Sequence, residues 1–226
     1  MIAALEGIEP IARKETLGMI VREELRSALM AGRFQPGQKL TIRAVASALN
    51  VSLTPAREAL YNLMAEGILE SGANGTIFVP KLDEAQIVEL TKIRVNLEGL
   101  AAREALPHLT DADIDALTEI NAEVCKSDED KDFSKLMSQN WRFHFGIYGR
   151  SDMPTLLRII ESCWLKMGSY LNVIYPDYGE IGTGLENHQQ ILKALRARDA
   201  DRLCDTIRVD IEQSSGYLIE MIRSAK

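Results

Sequence analysis

LRSALMAGRFQPGQKLTIRAVASALNVSLTPAREALYNLMAEGILES, residues 25–71, alternates short amphipathic runs with turn signals. The run begins earlier, with apolar positions at Leu17, Ile20/Val21, Leu25 and Ala28/Leu29. That 3–4 spacing predicts a helix over 13–31. Gly32 ends it and Pro36-Gly37 makes a turn. A second, short helix spans 41–49 with Val45, Ala46 and Leu49 inward, and Asn50-Val51-Ser52 breaks it. Thr54 is expected as the N-cap of a third helix, with Pro55 at its first position and Gly67 beyond its end. Residues 68–70 and 76–79 are strand candidates on either side of a loop whose Asn74-Gly75 pair is a strong turn signal. Three helices followed by a hairpin make a winged helix-turn-helix.

Working outward, Pro80 closes this unit. Asp83-Glu84-Ala85-Gln86 reads as a capping box that opens a helix to about Ala105. Further helices are expected at about 110–126, 130–150, 152–174, 181–197 and 199–224. Pro107, the charged stretch 127–131, Gly149, Tyr175-Pro176 and Asp199 are the breakers. The chain is therefore mainly α. A winged helix-turn-helix over 1–80 precedes an antiparallel all-α bundle of about six helices over 81–226.

Charge separates the same two parts. Residues 1–80 hold eight basic and eight acidic residues, while 81–226 carry the whole net charge of -7. Within 17–64, six basic residues face three acidic ones, a locally positive piece suited to a polyanion. No apolar run approaches the ~18 residues of a transmembrane helix. Cys125, Cys163 and Cys204 are odd in number and form no CxxC pair, which fits a reducing cytosol and a cytoplasmic location.

In a helix-turn-helix the second helix enters the major groove, and its N-terminal residues meet bases and phosphates. Here that end is Ser52-Leu53-Thr54-Pro55-Ala56-Arg57. Ser52, Thr54 and Arg57 suit phosphate contact; Arg43 and the Asn74-Gly75 wing tip flank the same groove. The competing reading makes Ser52 and Thr54 simple caps and Arg57 a solvated side chain.

The stretch 25–71 resembles the DNA-binding domain of the GntR family of bacterial transcriptional regulators. The marks are Gly32-x-x-x-Pro36-Gly37, then Ala46-x-x-Leu49-x-Val51-Ser52-x-Thr54-Pro55-x-Arg57-Glu58-Ala59-Leu60, then Leu63-x-x-Glu66-Gly67-Ile68. With the helices that follow, the chain resembles the FadR-type subgroup, whose second half is an FCD ligand-binding domain. The resemblance implies double-stranded operator DNA as partner, with Arg43, Ser52, Thr54 and Arg57 as contacts. Two departures stand out. Leu53 occupies a position where the family usually has a DNA-contacting Arg, and Ile42 one where an acidic residue is common. Leu53 can still touch a thymine methyl.

In the bundle, polar residues interrupt apolar stripes. Asn140 and His144 share a face of 130–150, His188 lies among Leu185, Leu192 and Leu195, and Asp210 follows Leu203 and Ile207. An i,i+4 pair joined by single ligands from two other helices is how bundles build metal sites. A metal-free hydrogen-bond network fits the same residues. The resemblance favours metal: FCD domains often bind one divalent cation through an Asp or Asn, a His four residues later and two further His. Asn140, His144 and His188 match the first three, and Asp210 stands for the last. Such mixed N/O ligation suits Zn²⁺, Ni²⁺ or Mn²⁺.

Arg94 lies mid-stripe between Ile87, Leu90, Leu97 and Ala101, and an inward guanidinium wants an anion. It either pairs with a bundle carboxylate or clamps a small carboxylate effector, which the family pattern favours. Half-site reading implies a homodimer. Two alternatives are a metal-dependent hydrolase and a winged-helix interaction module. The chain lacks HExxH, a nucleophile elbow, a P-loop and a dinucleotide glycine pattern, which argues against an enzyme. Cys163 and Cys204 read as bundle packing and His108 as a solvated loop residue.

Overall fold

A computed structural model describes residues 16–72, 75–181 and 183–224, with side chains outside 171–181. Helix α1 (Leu17–Met30) starts at Thr16, whose hydroxyl accepts from the Met19 amide. Val21, Leu25 and Leu29 are buried with Ala59, Leu60 and Leu63 of α3 (Leu53–Ala65). Helix α2 (Ile42–Ala48) is capped by Thr41 and adds Val45 and Ala46 to the same core. A three-stranded antiparallel sheet completes the unit, β1 (Lys39–Leu40), β2 (Glu70–Ser71) and β3 (Ile77–Phe78) in the order β1–β3–β2. Ile77 lies opposite both Leu40 and Ser71.

Three expectations change here. Ser52, not Thr54, is the N-cap of α3, and it makes no side-chain capping bond. Pro55 becomes the third helical residue; amides of the first turn have no intrahelical partner, so its missing N–H costs no ladder bond. Ile68 and Leu69 are buried core residues leading into β2 rather than strand. Strand β1 had no sequence signal, because two residues after a turn carry no periodicity. Asn74 lies outside the described residues. Gly75 has φ +69°, and its amide donates to the Gly72 carbonyl. That conformation favours glycine.

The bundle holds α4 (Glu84–Ala105), a 3-10 turn at Leu106–His108, α5 (Asp111–Glu129), α6 (Phe133–Tyr148), α7 (Pro154–Ile181), α8 (Thr183–Arg196) and α9 (Ala200–Ser224). The Asp83/Gln86 capping box forms with both bonds present. The charged stretch from 127 does not break α5 where expected. Ser127 is buried and bonds back to the Glu123 carbonyl at 2.7 Å, so the helix runs on to Glu129. Likewise α7 continues past Tyr175-Pro176 to Ile181. One proline removes one ladder bond, at a cost of about 3 kcal/mol, which longer helices can absorb. Among the described residues no helix is long and apolar enough to cross a membrane.

Helix α7 joins the two halves. Trp164 belongs to the bundle core, while the next residue, Leu165, belongs to the core of the winged helix. A Cβ on Gly168 would sit 2.5 Å from the Leu29 carbonyl oxygen, so only glycine lets α1 approach this closely. Arg26 of α1 reaches Glu161 of α7 at 2.7 Å and Glu66, just past α3, at 2.8 Å. Tyr170 accepts from the Leu82 amide at 2.5 Å, which pins the entry to α4.

Candidate DNA-reading face and buried polar centre

On α3 the residues split cleanly by face. Pro55, Ala56, Ala59, Leu60 and Leu63 are buried, whereas Ser52, Leu53, Thr54 and Arg57 are exposed. Arg43 is exposed on α2. Arg43 and Arg57 make no ion pair with a described residue, so both cations are available to an outside anion. Arg22 and Arg26, by contrast, are spent internally on Glu23 and Glu66.

In the bundle, three of the four expected polar residues converge. His144 of α6, His188 of α8 and Asp210 of α9 place ligand atoms within 4.8 Å of one another. The two Nε2 atoms are 3.2 Å apart, and His144 Nε2 is 3.4 Å from Asp210 Oδ2. Both imidazoles are buried, and Asp210 is 15% exposed. Asn140 is half-buried one turn before His144 on the same helix.

Neighbours constrain the imidazole protons. His188 Nδ1 lies 2.9 Å from Asn121 Oδ1, an acceptor, so the ring donates there and its Nε2 is bare. The Tyr148 hydroxyl gives its only proton to Glu98 Oε2 at 2.8 Å. His144 Nδ1 lies 3.3 Å from the Tyr148 oxygen: the tautomer that donates there presents an unprotonated Nε2, and a proton on Nε2 is instead shared with Asp210 Oδ2 or His188 Nε2. Burial and the neighbouring His144 hold the His188 imidazole down to about 3, so it is neutral near pH 7. Asp210 loses hydration on burial, yet the hydrogen bond and charge of His144 outweigh this and lower its pKa. With His144 in the tautomer that donates to Tyr148, two unprotonated ring nitrogens and a carboxylate converge as a set of electron-pair donors. Chemically, the set fits a borderline divalent cation.

Arg94 continues the same network. It is buried on α4 and binds Glu98 four residues on, Nε to Oε1 at 2.6 Å. Its guanidinium carbon lies 4.6 Å above the Trp164 ring, and the Trp164 indole donates to Glu98 at 3.0 Å. Burial works against the Arg94 charge, but the Glu98 carboxylate more than offsets it and the pKa is raised. Tyr148 is pushed well up by burial and by Glu98, and stays a phenol. Of the two sequence readings of Arg94, the internal carboxylate pair is the one present in this structure.

Residues 19–79 match the family described as bacterial regulatory proteins, gntR family, and residues 89–213 match the FCD domain. The HTH-type transcriptional regulator McbR of Escherichia coli K12 is 32% identical over 188 residues, covering 82% of this chain and 85% of McbR. This chain belongs to the GntR family. It is a transcriptional regulator with an FCD effector-binding domain, and its matched relatives are regulators rather than enzymes. The structure of E. coli McbR/YncC superposes with a TM-score of 0.86 at 29% identity, covering 92% of this chain and all of that one. A gluconate operon transcriptional repressor of Bacillus licheniformis is 26% identical, with 92% of this chain and 87% of the repressor covered.

Several residues of this GntR-family site escaped the sequence reading. Asn121 sits mid-stripe among Ile114, Leu117 and Val124, so the rule that singled out Arg94 also applied to it. Glu98 is fully buried, whereas Leu97, taken as the stripe, is only half-buried. The i,i+4 offset from Arg94 was the available signal. On α9 the buried seam runs through Ile207, Ile211 and Leu218, which leaves Asp210 at its edge facing the histidines. His108 is exposed and Cys163 is buried, as expected, although His108 ends a 3-10 turn and Cys204 is only half-buried.

Proposed function

We propose that the chain binds double-stranded operator DNA as a homodimer and responds to a small carboxylate held at a divalent metal in the bundle. Residues 1–80 form the DNA-binding unit, with Arg43, Ser52, Thr54 and Arg57 on the groove and the Asn74-Gly75 wing beside it. Residues 81–226 sense the effector. His144, His188 and Asp210 hold the ion, Zn²⁺, Ni²⁺ or Mn²⁺, and Asn140 adds a fourth donor from the same face of α6. The protein works in the cytoplasm.

One observation carries the metal reading: two buried imidazoles aim their Nε2 atoms at each other, 3.2 Å apart, with a carboxylate alongside. Their outer nitrogens are already held by Asn121 and Tyr148, the arrangement that orients metal-ligating histidines. A bound ion would give an incoming carboxylate a cationic partner. Charge supports that effector class. Arg94 faces two buried carboxylates, Glu98 and Asp210, so a dication leaves the cluster one positive charge in excess. A monocarboxylate bound at the metal neutralises it. One relative is named for a gluconate operon, and gluconate is such an acid.

The route to DNA runs through α7. Trp164 contacts Arg94, Glu98 and His144, while Leu165 is embedded in the winged-helix core. Titration of chelated full-length protein with Zn²⁺, Ni²⁺ and Mn²⁺ by calorimetry tests the reading. One ion per chain is expected for wild type and none for His188→Ala. Absence of binding by wild type would leave a metal-free hydrogen-bond network.

A further inference from the structure

We infer that Leu53 reads a thymine methyl in the operator, and so sets part of its sequence preference. The inference rests on the DNA-binding reading and adds a base to it. Leu53 is the first residue of α3 and is 46% exposed. It stands between the exposed hydroxyls of Ser52 and Thr54, at the end of the helix that meets base edges. Arg57 and Tyr61 follow at i+4 and i+8, both exposed, Tyr61 at 52%. The three form one exposed row along the helix, bordering the buried side of Ala56, Ala59, Leu60 and Leu63. At 1.5 Å per residue the row is about 12 Å long, which spans three to four base pairs at about 3.4 Å each.

A single exposed leucine is unremarkable on most surfaces. Here it occupies the face that must lose its water against DNA. Its side chain carries no hydrogen-bonding group, so it can satisfy neither a phosphate nor a base donor or acceptor. Among major-groove edges only thymine offers an apolar group, the C5 methyl. Arg57, one turn on, supplies the phosphate-directed charge, and the Tyr61 hydroxyl suits a further phosphate at the far end of the row. Leu53 therefore specifies while its neighbours position.

The test uses the full-length protein and duplexes selected from a randomised library. Thymines of the selected duplex are replaced by uracil one at a time, which removes only the methyl. At one position per half-site, wild-type affinity should fall about fourfold, the transfer free energy of one methyl group. Leu53→Ala should bind thymine and uracil duplexes alike at that position. Leu53→Arg should move the selected base there toward guanine, because a guanidinium pairs with guanine O6 and N7. The inference is overturned if no uracil replacement weakens wild type, or if Leu53→Ala keeps the full penalty. Failure of wild type to enrich any duplex overturns the DNA-binding reading itself. Enrichment with uracil-insensitive binding overturns the role of Leu53 alone.

Discussion

The outer face of α3 and the centre of the bundle place charge in opposite ways. At the α3 face the cations stand in water: Arg57 on α3 and Arg43 on the neighbouring α2 have no ion pair with a described residue. At the bundle centre the charges are largely enclosed and answered: Arg94 by Glu98, Glu98 by Tyr148 and Trp164 as well, Asp210 by Asn187 and His144. The difference follows from the ligands. A phosphate backbone gains from unspent cations that release its counterions. A small effector must be held by a preorganised set, and burial makes each unpaired group there expensive. Mutations in the two regions should therefore separate, one set moving affinity and the other moving stability.

The largest effect should come from Glu98→Leu. It strands the Arg94 guanidinium in the core, and breaking a buried pair this way costs about 3–5 kcal/mol. Adding Arg94→Leu in the same chain should recover most of that loss in urea unfolding. Failure to recover would mean Glu98 matters through Tyr148 and Trp164 rather than through its pair. Gly168→Ala comes next. The new methyl meets the Leu29 backbone, and a loss of about 1–3 kcal/mol is expected as α1 is pushed from α7. Thermal unfolding checks this, and operator affinity should fall with it if α7 couples the halves.

Arg57→Ala should leave stability within about 0.5 kcal/mol, as surface changes do. It should instead flatten the log–log salt dependence of operator binding by about 0.9, one phosphate's share. An unchanged slope would take Arg57 off the phosphate backbone. The smallest effect belongs to Asp210→His. It trades a carboxylate for an imidazole in the ligand set, so metal affinity should hold or rise slightly while the fold stays intact. Loss of metal in that variant would show that the carboxylate charge itself is required.

The same contrast explains what could be read from sequence. The winged helix was legible because turn glycines, prolines and 3–4 spacing mark each of its helices, and a helix face can be derived from periodicity alone. Its sheet was only partly legible: β1 is two residues long and borrows its order from pairing with β3. In the bundle, polar residues on apolar stripes pointed to His144, His188, Asp210 and Arg94. Periodicity fixes a face only to within about one residue. It therefore chose Leu97 over Glu98, and it set Asp210 in the seam instead of at its edge. Which stripes meet is decided by packing between helices far apart in sequence. The Asn121–His188 contact, 67 residues apart, could not be read along one chain. Pro176 misled for a related reason: a local breaker signal does not report what a long helix tolerates.

The central claim is that the buried centre and the α3 face are coupled. The most direct measurement is operator affinity by fluorescence anisotropy, on metal-loaded protein, across a panel of small carboxylates. At least one carboxylate should shift wild-type affinity by about 5–150-fold, the usual span of coupling between two sites. The same acid should leave Asp210→Ala unmoved while that variant still binds the duplex. A carboxylate that shifts Asp210→Ala as far as wild type, or a metal-loaded wild type that responds to none of the panel, would contradict the account.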